Sequence, residues 1–148
     1  MAVQERRLTI PAVLERIEDA CIFVNSEAKS AGLSKEAVYH CHLAIEEVLT
    51  NIVEHGYKYK GDAREIVITC VTHPDRFIMC TLDDAPPFDP LSLPDPNPKQ
   101  PLIEREGGGW GIYFVKQYMD ALNYRWVNGH NQFTMTKFIP PNSHRDFA

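Results

Sequence analysis

Apolar residues recur with a helical period over residues 38–52. Val38, Cys41, Ile45, Val48, Leu49 and Ile52 make one face, while Glu47, Asn51 and Glu54 fall on another. Glu47 and Asn51 stand one helical turn apart. Ser34 is a suitable N-cap for this helix, and Gly56 stops it. An earlier stripe of Val13, Ile17, Ala20, Cys21 and Val24 predicts a helix opened by Pro11, running to about Ala31 and ended by Gly32. Alternating positions predict strands over 6–11, 65–71 and 76–83, the last two joined through Pro74-Asp75 as an antiparallel hairpin. A third helical pattern covers Ile112 to Met119. Strands over 122–127 and 132–139 meet around Asn128-Gly129, a strong hairpin signal. This order predicts an α+β fold: a two-layer sandwich with a mixed, mostly antiparallel sheet and three helices on one face. No repeat or second core divides the chain, so residues 1–148 read as one domain.

Two stretches break the periodic pattern. Residues 85–101 hold seven of the eleven prolines and are too long for a compact connection. They predict a flexible lid over about 85–106. Gly107-Gly108-Gly109-Trp110-Gly111 then runs directly into the third helix. Glycines at a helix start let backbone N–H groups approach phosphate oxygens, and the helix dipole favours the anion. The same run also suits the hinge of a lid.

Composition narrows the partners. Apolar residues make up 44% and charged residues 24%, an ordinary soluble profile. The net charge of -5 argues against backbone-driven binding to nucleic acid or to an anionic membrane. No run is long enough to span a bilayer, and the first residues lack the apolar core of a signal peptide. Cys21, Cys41, Cys70 and Cys80 form no CxxC pair and sit in apolar runs. They predict buried free thiols and a cytoplasmic location, rather than a disulfide framework or a zinc site. His40 and His42 are two apart, so a helix points them to different faces.

The candidate chemistry lies in three places. Glu47 and Asn51 offer an acid and an amide on a rigid helix, able to manage a metal-bound phosphate or simply to form a solvated polar face. Asp83 and Asp84 close a strand, where they face a ligand or cap a turn. The glycine run supplies phosphate donors. There is no GxxxxGK[ST], and the glycine run lacks the preceding strand of a dinucleotide fold.

Together these stretches resemble the GHKL ATPase superfamily, and within it the stand-alone anti-sigma-factor serine/threonine kinases. Glu47 to Tyr57 resembles the N box: Glu, three residues, Asn, then His-Gly-Tyr. Asp83 to Asp89 resembles the first glycine box, with Ala85 and Pro87 at positions where glycine is usual. Gly107 to Ile112 resembles the second box, and 131–137 the last strand. The resemblance implies ATP and Mg²⁺ as cofactors. It implies Asp83 as acceptor of the adenine amino group, Asn51 as Mg²⁺ ligand through its side-chain oxygen, and Glu47 as general base. Gly107, Gly108, Gly109 and Gly111 are then expected to wrap the phosphates, with Arg105 and Lys116 as further candidate charges. Glu46 is expected to face solvent or pair with a base, and His55 to support the helix end. The implied activity is phosphorylation of a serine on an anti-sigma-factor antagonist, with sequestration of a sigma factor and a homodimer formed through the first strand. The alternative is an ATP-gated binding regulator with little or no kinase activity.

Overall fold

The structure, a computed structural model, describes residues 3–96 and 107–141, the side chains of 107–110 excepted. Among the described residues, five strands form one sheet: β1 (Gln4–Pro11), β2 (Glu65–Thr72), β3 (Arg76–Asp83), β4 (Ala121–Val127) and β5 (His130–Phe138). Their spatial order is β1-β2-β3-β5-β4. Every pairing is antiparallel, so the sheet is not mixed as the pattern suggested. The reason is connectivity. The helical crossover from β3 returns to β4, which lies at the far edge, and the Asn128-Gly129 turn then folds β5 back against β3. Both turn residues have positive φ, 51° and 80°, as a tight hairpin of native twist requires.

Three helices, α1 (Ile17–Ala31), α2 (Lys35–Asn51) and α3 (Gly107–Tyr118), share one core with a single face of the sheet. Ile10, Ile66, Ile68, Phe77, Met79 and Met135 from the strands meet Val24, Ile45, Val48 and Ile112 from the helices, all fully buried. Alternation in β2 and β3 leaves Val67, Val71, Ile78 and Leu82 half-buried on the opposite face. Ser34 caps α2 by accepting from the Ala37 N–H at 3.1 Å, as its position suggested.

Pro11 does not open a helix. It ends β1 opposite Glu65, and a short 3-10 turn at Leu14–Arg16 precedes α1. A proline without an N–H is tolerated at the end of an edge strand, and here the strand claims it. Cys21, Cys41 and Cys70 are buried free thiols and Cys80 is half-buried. Burial foremost pushes the Cys21 thiol up to about 11 and the Cys41 thiol up to about 12, so both are protonated at neutral pH. No helix of the described residues is long and apolar enough to cross a membrane.

Candidate functional site

The end of α2 sets the geometry. Asn51 is its last residue, and Ile52–Gly56 continues as a π-helical turn in which the Tyr57 N–H donates to the Ile52 carbonyl at 2.9 Å. Such widened turns occur preferentially where a helix carries function. The turn sends Tyr57 to the end of β3. Its hydroxyl donates to Asp84 Oδ1 at 2.7 Å and accepts from the Asp84 N–H at 3.0 Å, while Arg64 Nη1 donates to Oδ2 at 3.0 Å. Burial and the bond to Asp84 hold the Tyr57 hydroxyl far above its ordinary range, so it stays a donor. Asp84 therefore serves as an anchor of the loop, and Asp83 is the carboxylate left for the interior.

Asp83 is 4% exposed and stands opposite Asn131 in the β3–β5 register. Its Oδ1 accepts from the Ala85 N–H at 3.0 Å and from Asn131 Nδ2 at 2.9 Å. Among the described residues neither bond uses Oδ2. Asn131 Nδ2 also donates to the carbonyls of Ala85 and Pro86, at 3.0 and 3.2 Å. Asn131 Oδ1 accepts from the Phe88 N–H at 3.0 Å and from the Tyr124 hydroxyl. One amide thus fixes both the carboxylate and the start of the expected lid. Burial raises the Asp83 pKa above its ordinary value; the bonds from Asn131 and Ala85 oppose this, Asp84 adds to it, and His130 opposes it.

Two hollows meet at Asn51. The first is a narrow recess of about 30 Å³, open to solvent and lined by Asn51, Ile52, Gly56, Asp83, Ala85 and Asn131 among others. The second, about 40 Å³ and also open to solvent, is lined by Glu47, Asn51, Glu54, His55 and Gly111. Asn51 is 9% exposed, and among the described residues its side-chain amide makes no hydrogen bond. A buried amide open to two hollows is a ready oxygen ligand or donor.

Glu47 lies against α3. A methyl built on Gly111 would overlap the Glu47 carboxylate oxygen and lie 3.1 Å from its Cδ, so a larger residue there would push the carboxylate out of its present position. Burial, then the like charges of Glu46 and Glu54, raise the Glu47 pKa. Gly56 makes the same kind of room at the other hollow. A Cβ there would stand 3.2 Å from the Ala85 Cβ, so the methyl that Ala85 brings to the first glycine box is received by a glycine opposite.

The structure thus brings Glu47, Asn51 and Gly111 to one hollow and Asn51 and Asp83 to the other. Gly107, Gly108 and Gly109 form the first turn of α3, so the helix begins five residues before its apolar pattern at Ile112. Lys116 is not free for phosphate: its Nζ donates to Asp95 at 2.9 Å and to the Leu93 carbonyl at 3.4 Å, tying α3 to the segment after β3. Arg105 and much of the expected lid, residues 97–106, lie outside the described residues, as does the Trp110 side chain. Glu46 is half-exposed, 3.7 Å from His42 Nε2. His40 stacks on Tyr118 while His42 contacts Asn25, so the two histidines do point apart.

The sequence marks Asn131 only as the start of the strand that resembles the family's last one, and it does not point to the Tyr57–Asp84–Arg64 anchor. The role of Asn131 follows from a strand adjacency, β3 to β5, that no local pattern encodes. The anchor had a signal in the doubled Asp83-Asp84 after a strand, but not its partners.

An antiparallel sheet backed by three helices, with an acid–amide helix end facing a strand-end aspartate, defines an α+β domain of the GHKL ATPase type. The sequence profile of the histidine kinase-like ATPase domain matches residues 10–137, and the chain belongs to that family. Family membership implies ATP use. Among curated relatives, a protein of Bacillus licheniformis named serine-protein kinase RsbW is 25% identical over 133 residues, covering 87% of this chain and 82% of that one. RsbW of Bacillus cereus is 28% identical over 136 residues, covering 89% and 83%. RsbW of Listeria monocytogenes is 26% identical over 145 residues, covering 94% and 91%. The crystal structure of the RsbU and RsbW domains of Rv1364c from Mycobacterium tuberculosis superposes with a TM-score of 0.64 at 16% identity. It covers 93% of this chain, which spans 33% of that longer one; this likeness concerns the fold.

Proposed function

We propose that this chain is an ATP-dependent protein serine kinase and anti-sigma factor, phosphorylating a serine of an anti-sigma-factor antagonist. The observation that carries the reading is the pair of hollows joined at Asn51, with Asp83 closing one and Glu47 seated on Gly111 in the other. The kinases of the same name among its relatives support it.

The donor set fits a purine nucleotide and a divalent cation. Ionised Asp83 accepts but does not donate, so it selects the adenine amino group over the carbonyl of guanine. Asn131 and Ala85 hold that carboxylate in place before any ligand arrives. Glu47 and Glu54 both line the second hollow and would repel a triphosphate unless a cation lay between. Asn51 would hold Mg²⁺ by its side-chain oxygen, the hard neutral ligand that ion accepts. Bound Mg²⁺ neutralises charge on the phosphates. The first turn of α3, Gly107 to Gly109, would present backbone N–H groups to them, with Gly111 leaving room for Glu47 alongside.

In the transfer, Glu47 orients the acceptor serine and takes its hydroxyl proton. The serine oxygen forms a bond to the γ-phosphorus as the bond to the bridging oxygen breaks, and ADP leaves. A raised pKa suits a carboxylate to this task. The proposed partners are an antagonist protein, a sigma factor and a second copy meeting at β1, which among the described residues is a sheet edge paired with β2 alone. Neither nucleic acid nor membrane is among them, and the proposed location is cytoplasmic.

The test is incubation of purified protein with γ-labelled ATP and candidate antagonist proteins. Label on an acceptor serine, lost in Glu47→Gln, is the expected result. ATP-dependent complex formation without label would replace the kinase by an ATP-gated binding regulator.

A further inference from the structure

Away from the nucleotide hollows, α1 and α2 bring together three Lewis bases. Cys21 comes from α1, and His42 and Glu46 from consecutive turns of α2. Their donor atoms all lie within 4.8 Å of one another, with His42 Nε2 and Glu46 Oε2 3.7 Å apart. We propose that Cys21, His42 and Glu46 form a binding site for a divalent transition-metal ion of the zinc class, bridging α1 to α2.

Bond lengths of about 2.3 Å to sulfur and about 2.0–2.1 Å to nitrogen or oxygen put neighbouring donors of a tetrahedral ion roughly 3.3–3.6 Å apart. The nitrogen–oxygen edge is already near that length, and the sulfur edges, at most 4.8 Å, need a shift of no more than about 1.2 Å. The donor set of one thiolate, one imidazole and one carboxylate suits zinc or cobalt and not magnesium or calcium. A fourth position remains for water.

Asn25 supplies the support such a site needs. It sits one turn after Cys21 on α1, and its side-chain amide faces His42 Nδ1, with Nδ2 at 3.0 Å and Oδ1 at 3.3 Å. With its Oδ1 accepting from Nδ1–H, the imidazole presents the lone pair of Nε2 to Glu46 and Cys21, the usual arrangement around a ligating histidine. Cys21 is 3% exposed, whereas His42 and Glu46 are partly exposed, so an ion enters from the solvent side and meets the thiol last. On binding, the Cys21 proton passes to water and a metal–sulfur bond forms. The sequence did not reveal this group because its ligands come from two helices and match no metal spacing. His42 and Glu46 alone would be an ordinary i,i+4 surface pair; the thiol from a second helix sets the cluster apart.

The test uses the full-length, metal-free protein in reducing buffer without nucleotide, so its outcome is independent of the kinase reading. Titration with Co²⁺ is expected to give one equivalent of binding with a thiolate-to-cobalt charge-transfer band, removed by added Zn²⁺. Cys21→Ser abolishes the band, whereas Cys80→Ser leaves it intact. His42→Gln and Glu46→Gln, at partly exposed positions where folding is unaffected, each weaken binding at least tenfold. Zn²⁺ raises the melting temperature of the parent and of Cys80→Ser, and of none of the three site variants. No charge-transfer band in the parent, or a band that survives Cys21→Ser, overturns the proposal.

Discussion

The Glu47 carboxylate occupies the space that a side chain on Gly111 would fill, with its Cδ 3.1 Å from that Cβ position. The acid on α2 therefore lies directly against the backbone of α3. Gly111→Ala is expected to displace Glu47 by about 1 Å. A misplacement of that size lowers a positioned reaction by about 100-fold. The fold should hold, because alanine favours a helix by about 1 kcal/mol over glycine. Labelled-phosphate transfer and a thermal melt on the same sample check both halves. A variant that keeps its full transfer rate would remove this contact from the mechanism.

Asp83 is expected to act against stability in the nucleotide-free chain. Its pKa is raised in the folded state, chiefly by burial, from the ordinary 3.8. A raised carboxyl favours folding while protonated, below the unfolded value, and loses that contribution as pH climbs through the folded value. Asp84 and His130 act on it in opposite directions. Asp83→Asn keeps an acceptor for Ala85 and Asn131 but carries no charge. Denaturant midpoints between about pH 4 and pH 7 should therefore shift in favour of the variant as pH rises. ATP affinity should move the other way and fall at least tenfold. A parent that gains on the variant with rising pH would contradict the assignment.

Asn131 is expected to matter for both stability and nucleotide. Asn131→Ala strips one bond from Asp83 and leaves the Phe88 N–H and the Ala85 carbonyl without their partner. Unsatisfied buried groups of this kind cost about 1–3 kcal/mol. Urea unfolding should show that loss, and calorimetry should show weaker ATP binding, because Asp83 is no longer oriented. Unchanged values in both would mean that the network is dispensable.

Gly56 and Ala85 form a complementary pair. Gly56→Ala overpacks a 3.2 Å contact and should destabilise by about 1 kcal/mol. Gly56→Ala with Ala85→Gly should recover most of it. A double-mutant cycle reads the coupling directly. Strict additivity would show that the two methyl positions do not compete.

What the chain disclosed in advance was what is local. The spacing of Glu47 and Asn51, the aspartate at the end of β3 and the Asn128-Gly129 turn all follow from periodicity or turn chemistry within a few residues. What stayed hidden depends on residues far apart in sequence. The partnership of Asp83 with Asn131 needs β5 to lie beside β3. The Tyr57–Asp84–Arg64 anchor needs the π turn, which has no sequence mark. Pro11 misled because the same missing N–H suits a helix start and the end of an edge strand. The glycine run read as lying before the third helix, whose apolar pattern begins only at Ile112, yet the helix starts at Gly107. Lys116 read as a free charge, yet Asp95 claims it.

The central claim is one continuous site running from Asp83 through Asn51 to Glu47. Calorimetric titration of the protein with ATP, with and without Mg²⁺, tests it most directly in the parent, Asp83→Asn and Asn51→Ala. One ATP should bind the parent, more tightly with Mg²⁺, while GTP does not compete. Asp83→Asn should lose most of the affinity, and Asn51→Ala should lose the Mg²⁺ enhancement. No binding by the parent, or ATP and Mg²⁺ responses untouched by both substitutions, would contradict it.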